Sequence, residues 1–193
     1  MKKEILIMAF ALLMISEAFA QVKVGDKAPD FKLVNTDYTQ LSLSDYKDEA
    51  GVILIFTCNH CPYAKFYEAR IDKLHRAYAP KGYPVVAINP NDSVQYKTDG
   101  FSHMVKKGYE YAYLLDNTGV YKAYGASKTP HTFLLTRVNE GFKVAYIGAI
   151  DDSPQDANQV KVRYLENAIS AVMAGKEADP NLTKAIGCSI KPF

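Results

Sequence analysis

The feature that most constrains this chain is a six-residue apolar run, Gly51-Val52-Ile53-Leu54-Ile55-Phe56, which ends abruptly in Thr57-Cys58-Asn59-His60-Cys61-Pro62. An unbroken, largely β-branched run of this length suits a strand covered on both faces better than one that alternates between core and water. From Pro62 to about Ala79 the period changes, and Phe66, Ile71, Leu74 and Tyr78 recur at three- to five-residue spacing, as on a helix with one buried stripe. Pro62 fits a first helical turn, where its missing N–H has no partner to lose. The spacing therefore predicts a strand-to-helix junction with Cys58 at the helix N-terminus and Cys61 one turn on.

Exposed N–H groups and the dipole at a helix start favour negative charge, and the thiolate is the attacking species in thiol exchange. Cys58 is thus the expected nucleophile, and Cys61 is near enough to close a small-loop disulfide with it. A structural zinc half-site also uses Cys-x2-Cys, but it needs a second ligand pair, and the only other cysteine is Cys188. No metal and no cofactor is expected. If Cys58 and Cys61 pair, Cys188 is left over: it could resolve a mixed disulfide, link two molecules or stay a free thiol in the tail. An accessory redox role is favoured, because exposed thiols are oxidised in an oxidising compartment.

The chain opens Met1-Lys2-Lys3-Glu4, continues in the apolar run Ile5 to Ile15 and reaches Ala18-Phe19-Ala20-Gln21. A basic start, a short apolar core and Ala-x-Ala together read as a secretory signal cut after Ala20. The apolar core is short for a spanning helix, so no stable membrane insertion is expected once the signal is removed. The expected products are a signal peptide over 1–20, one domain over 21–176 and a tail over 177–193 carrying Cys188, in a periplasmic or secreted protein. With 23 basic and 21 acidic residues the charge is nearly balanced, which speaks against nucleic acid or an anionic membrane surface as partner. An exported domain of this size does not need disulfides to fold, so three cysteines there point to function.

Between these landmarks, Phe31 to Leu43 alternates across a polar turn as a small hairpin would, and Leu43-Ser44-Asp45-Tyr46 suits one helical turn. Further strands are expected at Pro84–Asn89, Tyr111–Leu115, Thr132–Thr136 and Lys143–Ile147, the last two joined through Asn139-Glu140-Gly141. Helices are expected near Asp99–Lys107, at Val120–Tyr124 before Gly125, and at Val160–Ala174 before Gly175, the last burying Val162, Leu165, Ile169 and Val172.

Strand, Cys-x2-Cys, helix, strand, a βα insertion, Thr-Pro, a hairpin and a final helix: in this order the mature chain resembles the thioredoxin superfamily, and within it the exported TlpA/ResA-like, AhpC/TSA redoxin branch. Gly25-Asp26-Lys27-Ala28-Pro29-Asp30-Phe31 looks like that branch's opening motif. Phe56 to Tyr63 looks like a subgroup of redoxin-domain proteins that also end in Gly-Cys-Ser-Ile-Lys, here Gly187 to Lys191. The resemblance implies an α/β, thioredoxin-like fold, a central mixed sheet flanked by helices with an N-terminal hairpin and a βα insertion. It also implies that Thr129-Pro130 is a cis-proline loop facing the cysteines, where the Thr129 backbone could pair with a substrate segment as a transient strand. His131 is read as a strand-edge histidine.

The implied activity is thiol:disulfide exchange with exported protein disulfides or dithiols, supplied by a membrane or periplasmic thiol electron donor. His60 resembles the histidine that precedes the second cysteine in strongly oxidising relatives such as DsbA, and a donor there would stabilise the Cys58 thiolate. Three departures from the family stand out: Thr57 replaces the thioredoxin Trp, Val52 replaces its buried Asp, and Ala64 stands where ResA-like reductants carry Glu. A peroxidase is the first alternative, but peroxiredoxins place Thr three residues before the reactive cysteine, and that position is Ile55 for Cys58. An SCO-like copper carrier using Cys58, Cys61 and a histidine is the second, but those sites have three residues between the cysteines.

Overall fold

The computed structural model describes residues 21–192, so the expected signal segment and its cut after Ala20 lie outside the described residues. Among these, seven strands form one sheet: β1 (Lys32–Asn35), β2 (Gln40–Ser42), β3 (Gly51–Phe56), β4 (Val85–Asn89), β5 (Ala112–Leu115), β7 (His131–Val138) and β8 (Gly141–Gly148), in the order β2-β1-β5-β4-β3-β7-β8. A separate two-stranded pair joins β6 (Lys128–Thr129) to β9 (Cys188–Ser189). β3 is parallel to β4 and antiparallel to β7, which makes the sheet mixed. No helix of the described residues is long and apolar enough to cross a membrane.

The unbroken apolar character of β3 has a direct cause. Ile53 and Ile55 face α1 (Pro62–Tyr78) and α4 (Tyr164–Met173), packing with Tyr67, Ile71, Leu74, Leu165 and Ile169. Val52, Leu54 and Phe56 face the opposite layer, with Phe31, Leu33, Leu43, Tyr124 and Phe142. Each face of the strand is covered, so neither parity can be polar. The remaining helices, α2 (Phe101–Val105) and α3 (Val120–Tyr124), are single short turns. Gly125 ends α3 at φ 68° and Gly175 follows α4 at φ 71°, left-handed positions that a glycine adopts without steric cost.

Two expected core positions face out. Phe66 is 48% exposed, because the buried stripe of α1 runs through Tyr67, Ile71 and Leu74, and Phe66 lies about 100° around the helix from Tyr67. Val162 is 37% exposed, since the helix has not yet begun there and α4 starts only at Tyr164.

α1 is tied to the segment after β8 through Asp151, a buried carboxylate that accepts from the Tyr67 hydroxyl at 2.9 Å and from Arg70 Nη1 at 2.9 and 2.6 Å. Arg70 also donates to the carbonyls of Ser153 and Pro154. Removing the carboxylate leaves the buried Tyr67 hydroxyl without its acceptor and the half-buried Arg70 with only the carbonyls of its neighbours. Asp151→Ala is expected to cost about 2–3 kcal/mol, the lower end for a broken buried pair because the Arg70 side chain keeps some solvent contact. Urea unfolding midpoints measure it.

The tail is pinned to the domain at several points. Thr183 N–H donates to Ile147 O at 2.9 Å, Ile147 N–H donates to Asn181 O at 3.0 Å, and Ala149 N–H donates to Thr183 Oγ1 at 3.0 Å. This approach requires Gly148, because a Cβ there would lie 2.1 Å from Thr183 Oγ1. Further on, Lys191 N–H donates to Asn91 Oδ1 at 2.8 Å, and Asp92 N–H to Lys191 O at 2.6 Å. Cys188 is thereby carried to the cysteine motif.

Candidate active site

The end of β3 and the start of α1 hold the cysteine motif. Cys61 caps α1 with an extended backbone (φ −63°, ψ 127°) and Pro62 opens the helix. Cys58 lies in the connection three residues before that cap, with its Sγ 3.3 Å from Thr129 Oγ1. The Thr129-Pro130 peptide is cis, and both residues are buried against the motif. All of Cys58, Cys61, Thr129 and Pro130 meet here, and Cys188 joins them.

The pairing differs from the expectation. Cys61 is bonded to Cys188, 127 residues away, with Cα atoms 6.1 Å apart, and Cys58 is the free thiol. Such a separation lies within the range a disulfide spans. The reason is register: β9 pairs antiparallel with β6, Thr129 opposite Cys188 and Lys128 opposite Ser189, which sets Cys188 directly beside Cys61. Cys188 is therefore neither a leftover thiol nor part of a loose tail. The Cys61 sulfur also lies 3.4 Å from the Thr129 carbonyl, a packing contact, because a disulfide sulfur has no proton to donate.

The acidity of Cys58 differs as well. The residue is only 3% exposed, and burial pushes its thiol up to about 11. The Thr129 hydroxyl and the N–H groups of Cys61 and His60 pull it down, while the Asp99 carboxylate adds to the rise. The helix start does favour the thiolate, but α1 begins beyond Cys58, and loss of hydration outweighs the few N–H groups that reach the sulfur. With a pKa near 11 only about one Cys58 in ten thousand is thiolate at pH 7. Alkylation of Cys58 in the Cys61–Cys188 protein should therefore be slow near neutrality and rise about tenfold per pH unit until close to pH 11; iodoacetamide labelling followed by mass spectrometry measures the profile.

The expected support of the Cys58 thiolate by the His60 ring is not what its Nδ1 provides. Nδ1 faces the carboxylate of Asp99, and the ring stacks on Tyr96 with centroids 5.4 Å apart. Asp99 is fully buried at the end of the 3-10 turn Lys97–Asp99. Its Oδ1 accepts from the backbone of Asn59 at 2.7 Å and of His60 at 3.2 Å, and its Oδ2 from Asn91 Nδ2 at 2.8 Å besides His60. Asn59 in turn donates to Thr98 O and accepts from the Tyr113 hydroxyl, each at 2.9 Å. Asp99 thus orients the whole Cys58–Cys61 turn. Sequence reasoning missed it, since Asp99 reads locally as the polar start of a helix, and the only hint was two asparagines at and just past the end of β4, Asn89 and Asn91, which are buried and need partners.

Donor atoms of Cys58, His60 and Asp99 all lie within 4.8 Å of one another. Both Asp99 oxygens already accept two hydrogen bonds, so a cation would have to break that network, and the set is better explained as an anchor for the turn. The copper alternative also loses Cys61, which is closed in a disulfide. His131 is half-buried beside Phe133, and the loss of hydration there pushes it down to about 4, so it brings no positive charge to the site near neutrality.

No protein of curated function matches the chain. Among solved structures, a hypothetical protein from Sinorhizobium meliloti 1021 is 31% identical, covering 90% of this chain and 97% of its own, with a TM-score of 0.82. An uncharacterized conserved protein from Geobacillus kaustophilus is 36% identical over 89% of this chain and 93% of its own, with a TM-score of 0.81. A Chlorobium tepidum protein provisionally described as thiol:disulfide interchange protein DsbE is 26% identical over 66% of this chain and 85% of its own, at a TM-score of 0.54. These similarities and the mixed sheet flanked by helices make the fold thioredoxin-like. The AhpC/TSA family profile matches residues 24–146, from the segment before β1 to within β8, so the chain is a member of the AhpC/TSA family.

Proposed function

We propose that the protein is an extracytoplasmic thiol:disulfide oxidoreductase that exchanges disulfides with other exported proteins, Cys58 being the attacking sulfur and Cys61 the sulfur that resolves. The observation that carries this reading is a free thiol and a disulfide side by side against one cis-proline loop. Likeness to the DsbE-described protein supports the same chemistry, and the basic, apolar, Ala-x-Ala start of the sequence supports export.

In the reducing direction, the Cys58 thiolate attacks one sulfur of a partner disulfide. The partner's S–S bond breaks, a Cys58–partner bond forms, and the second partner sulfur leaves as a thiolate that takes up a proton. Cys61, first freed when a thiol donor reduces its bond to Cys188, then attacks Cys58 Sγ as a thiolate; the Cys58–partner bond breaks, the partner sulfur leaves and takes up a proton to complete the partner dithiol, and a Cys58–Cys61 disulfide remains. Two electrons pass from the protein pair to the partner, and a thiol donor restores them. The Thr129 hydroxyl, 3.3 Å from Cys58 Sγ, can donate to the thiolate as it forms. The Lys128–Thr129 edge, paired here with Cys188–Ser189, would offer its backbone groups to a partner strand once that pair separates. A peroxidase would want a hydroxyl where Ile55 stands, buried in β3.

The test is reduction of insulin or a glutathione mixed disulfide with dithiothreitol as donor, alongside consumption of hydrogen peroxide. Turnover of the disulfide well above the dithiothreitol background is expected. Peroxide turnover with no disulfide turnover would overturn the reading.

A further inference from the structure

We propose that the C-terminal strand is a tethered substrate of the site, and that Cys188 is a third exchanging sulfur through which one disulfide moves between Cys61–Cys188 and Cys58–Cys61. This rests on the reading of Cys58 as the exchanging thiol. The step balances within the chain. Cys58, as thiolate, attacks Cys61 Sγ; the Cys61–Cys188 bond breaks, a Cys58–Cys61 bond forms, and Cys188 leaves as a thiolate that takes the proton Cys58 gave up. No electron enters or leaves.

Four observations support it. First, Cys58 and Cys61 are buried together with Ala64, half-buried Cys188 packs against them beside Tyr63, and both Cys58 and Cys61 touch Thr129. Second, the tail holds Cys188 as an incoming strand would be held. It runs antiparallel to Lys128–Thr129, and Ile190 N–H donates to Ser127 O at 3.2 Å, so the edge offered to a partner is already occupied. Third, the fit is specific. A Cβ on Gly187 would lie 2.3 Å from Thr129 O and 3.1 Å from Pro130 N, so only glycine can precede the cysteine on this edge. Ile190, two residues beyond Cys188, packs against the core layer of Leu33, Phe56 and Phe142. Fourth, the latched arrangement buries Cys58 as a neutral thiol, which keeps the exchange slow until the site opens.

The same contacts describe the partner. Once Cys188 is released, the edge takes an extended segment of the kind it has just lost, with glycine immediately before the cysteine and an aliphatic side chain two residues after it. Cys61–Cys188 is then a closed store of the oxidising equivalent, and Cys58–Cys61 with a free Cys188 is the open, partner-accepting form.

Peptide mapping of the oxidised protein, acid-quenched and labelled at free thiols, tests this. Wild type is expected to show Cys61–Cys188 with Cys58 labelled. Gly187→Ala, which keeps every cysteine but crowds the strand, is expected to shift the linkage to Cys58–Cys61 with Cys188 labelled. Cys188→Ser should form Cys58–Cys61 alone and be reduced by dithiothreitol severalfold faster than wild type. Wild-type protein moved from pH 7 to about pH 9, where the small thiolate fraction of Cys58 is about a hundredfold larger, should expose a labelled Cys188 with time. If Gly187→Ala keeps the wild-type linkage, or Cys188 never becomes labelled, the relay is overturned. Loss of disulfide turnover in Cys58→Ser would still leave the oxidoreductase reading standing in that case. If Cys58→Ser turns over disulfides normally, both fall.

Discussion

Replacing Cys58 by serine is expected to abolish disulfide turnover while leaving the folded protein and its Cys61–Cys188 bond in place. Cys58 is the free thiol of the site, and serine is close to it in size, so the buried pocket beside Thr129 is kept and the Thr129 hydroxyl gains a better hydrogen-bond partner. What is lost is the sulfur that forms the covalent intermediate. The fall in rate should be on the order of a thousandfold or more, the scale seen when a covalent nucleophile is removed. Insulin reduction measures the rate, and peptide mapping shows that Cys61 and Cys188 remain joined. A variant that kept a tenth of the wild-type rate would move the chemistry to Cys61 or Cys188.

The second large effect is expected from Asp99→Ala. The carboxylate is fully buried and accepts from the backbone of Asn59 and His60 and the side chains of Asn91 and His60. Alanine leaves these donors without partners in a place water reaches poorly, at a cost of about 3–5 kcal/mol. Urea unfolding would give that loss. A second readout separates positioning from bulk stability. Asp99 is a negative charge that raises the Cys58 thiol, so its removal should lower that pKa and speed alkylation of Cys58 at pH 8 under conditions where the variant stays folded. An unchanged labelling rate would mean that Asp99 supports the turn without setting the acidity of its sulfur.

The difference between the expected and observed cysteine pairing follows from the range of the interactions involved. Cys58 and Cys61 are three residues apart, and local geometry alone makes a bond between them plausible. The bond to Cys188 depends on β9 finding β6, on Thr183 docking against Gly148, and on Lys191 reaching Asn91. Each of these joins positions far apart in the chain, and none leaves a periodic trace in the sequence. The same holds for Asp99, forty residues from the Asn59 it supports. Phe66 and Val162 show the local version of the limit. Spacing identified a helix in each case, but which flank of the stripe faced the core, and where α4 began, were decided by the packing partners.

By itself the sequence determined the β3-to-α1 junction, the cysteine motif set at its tip, the hairpin through Gly141 and the glycine stops after α3 and α4. Those follow from apolar periodicity and from the few residues that tolerate a left-handed backbone, both properties of neighbouring residues. Only the tertiary structure decided which sulfur is free, how far burial suppresses its ionisation, and which carboxylate holds the turn around it. Desolvation and strand register are set by whatever comes to lie alongside, and for Cys58 that is a segment from the other end of the chain.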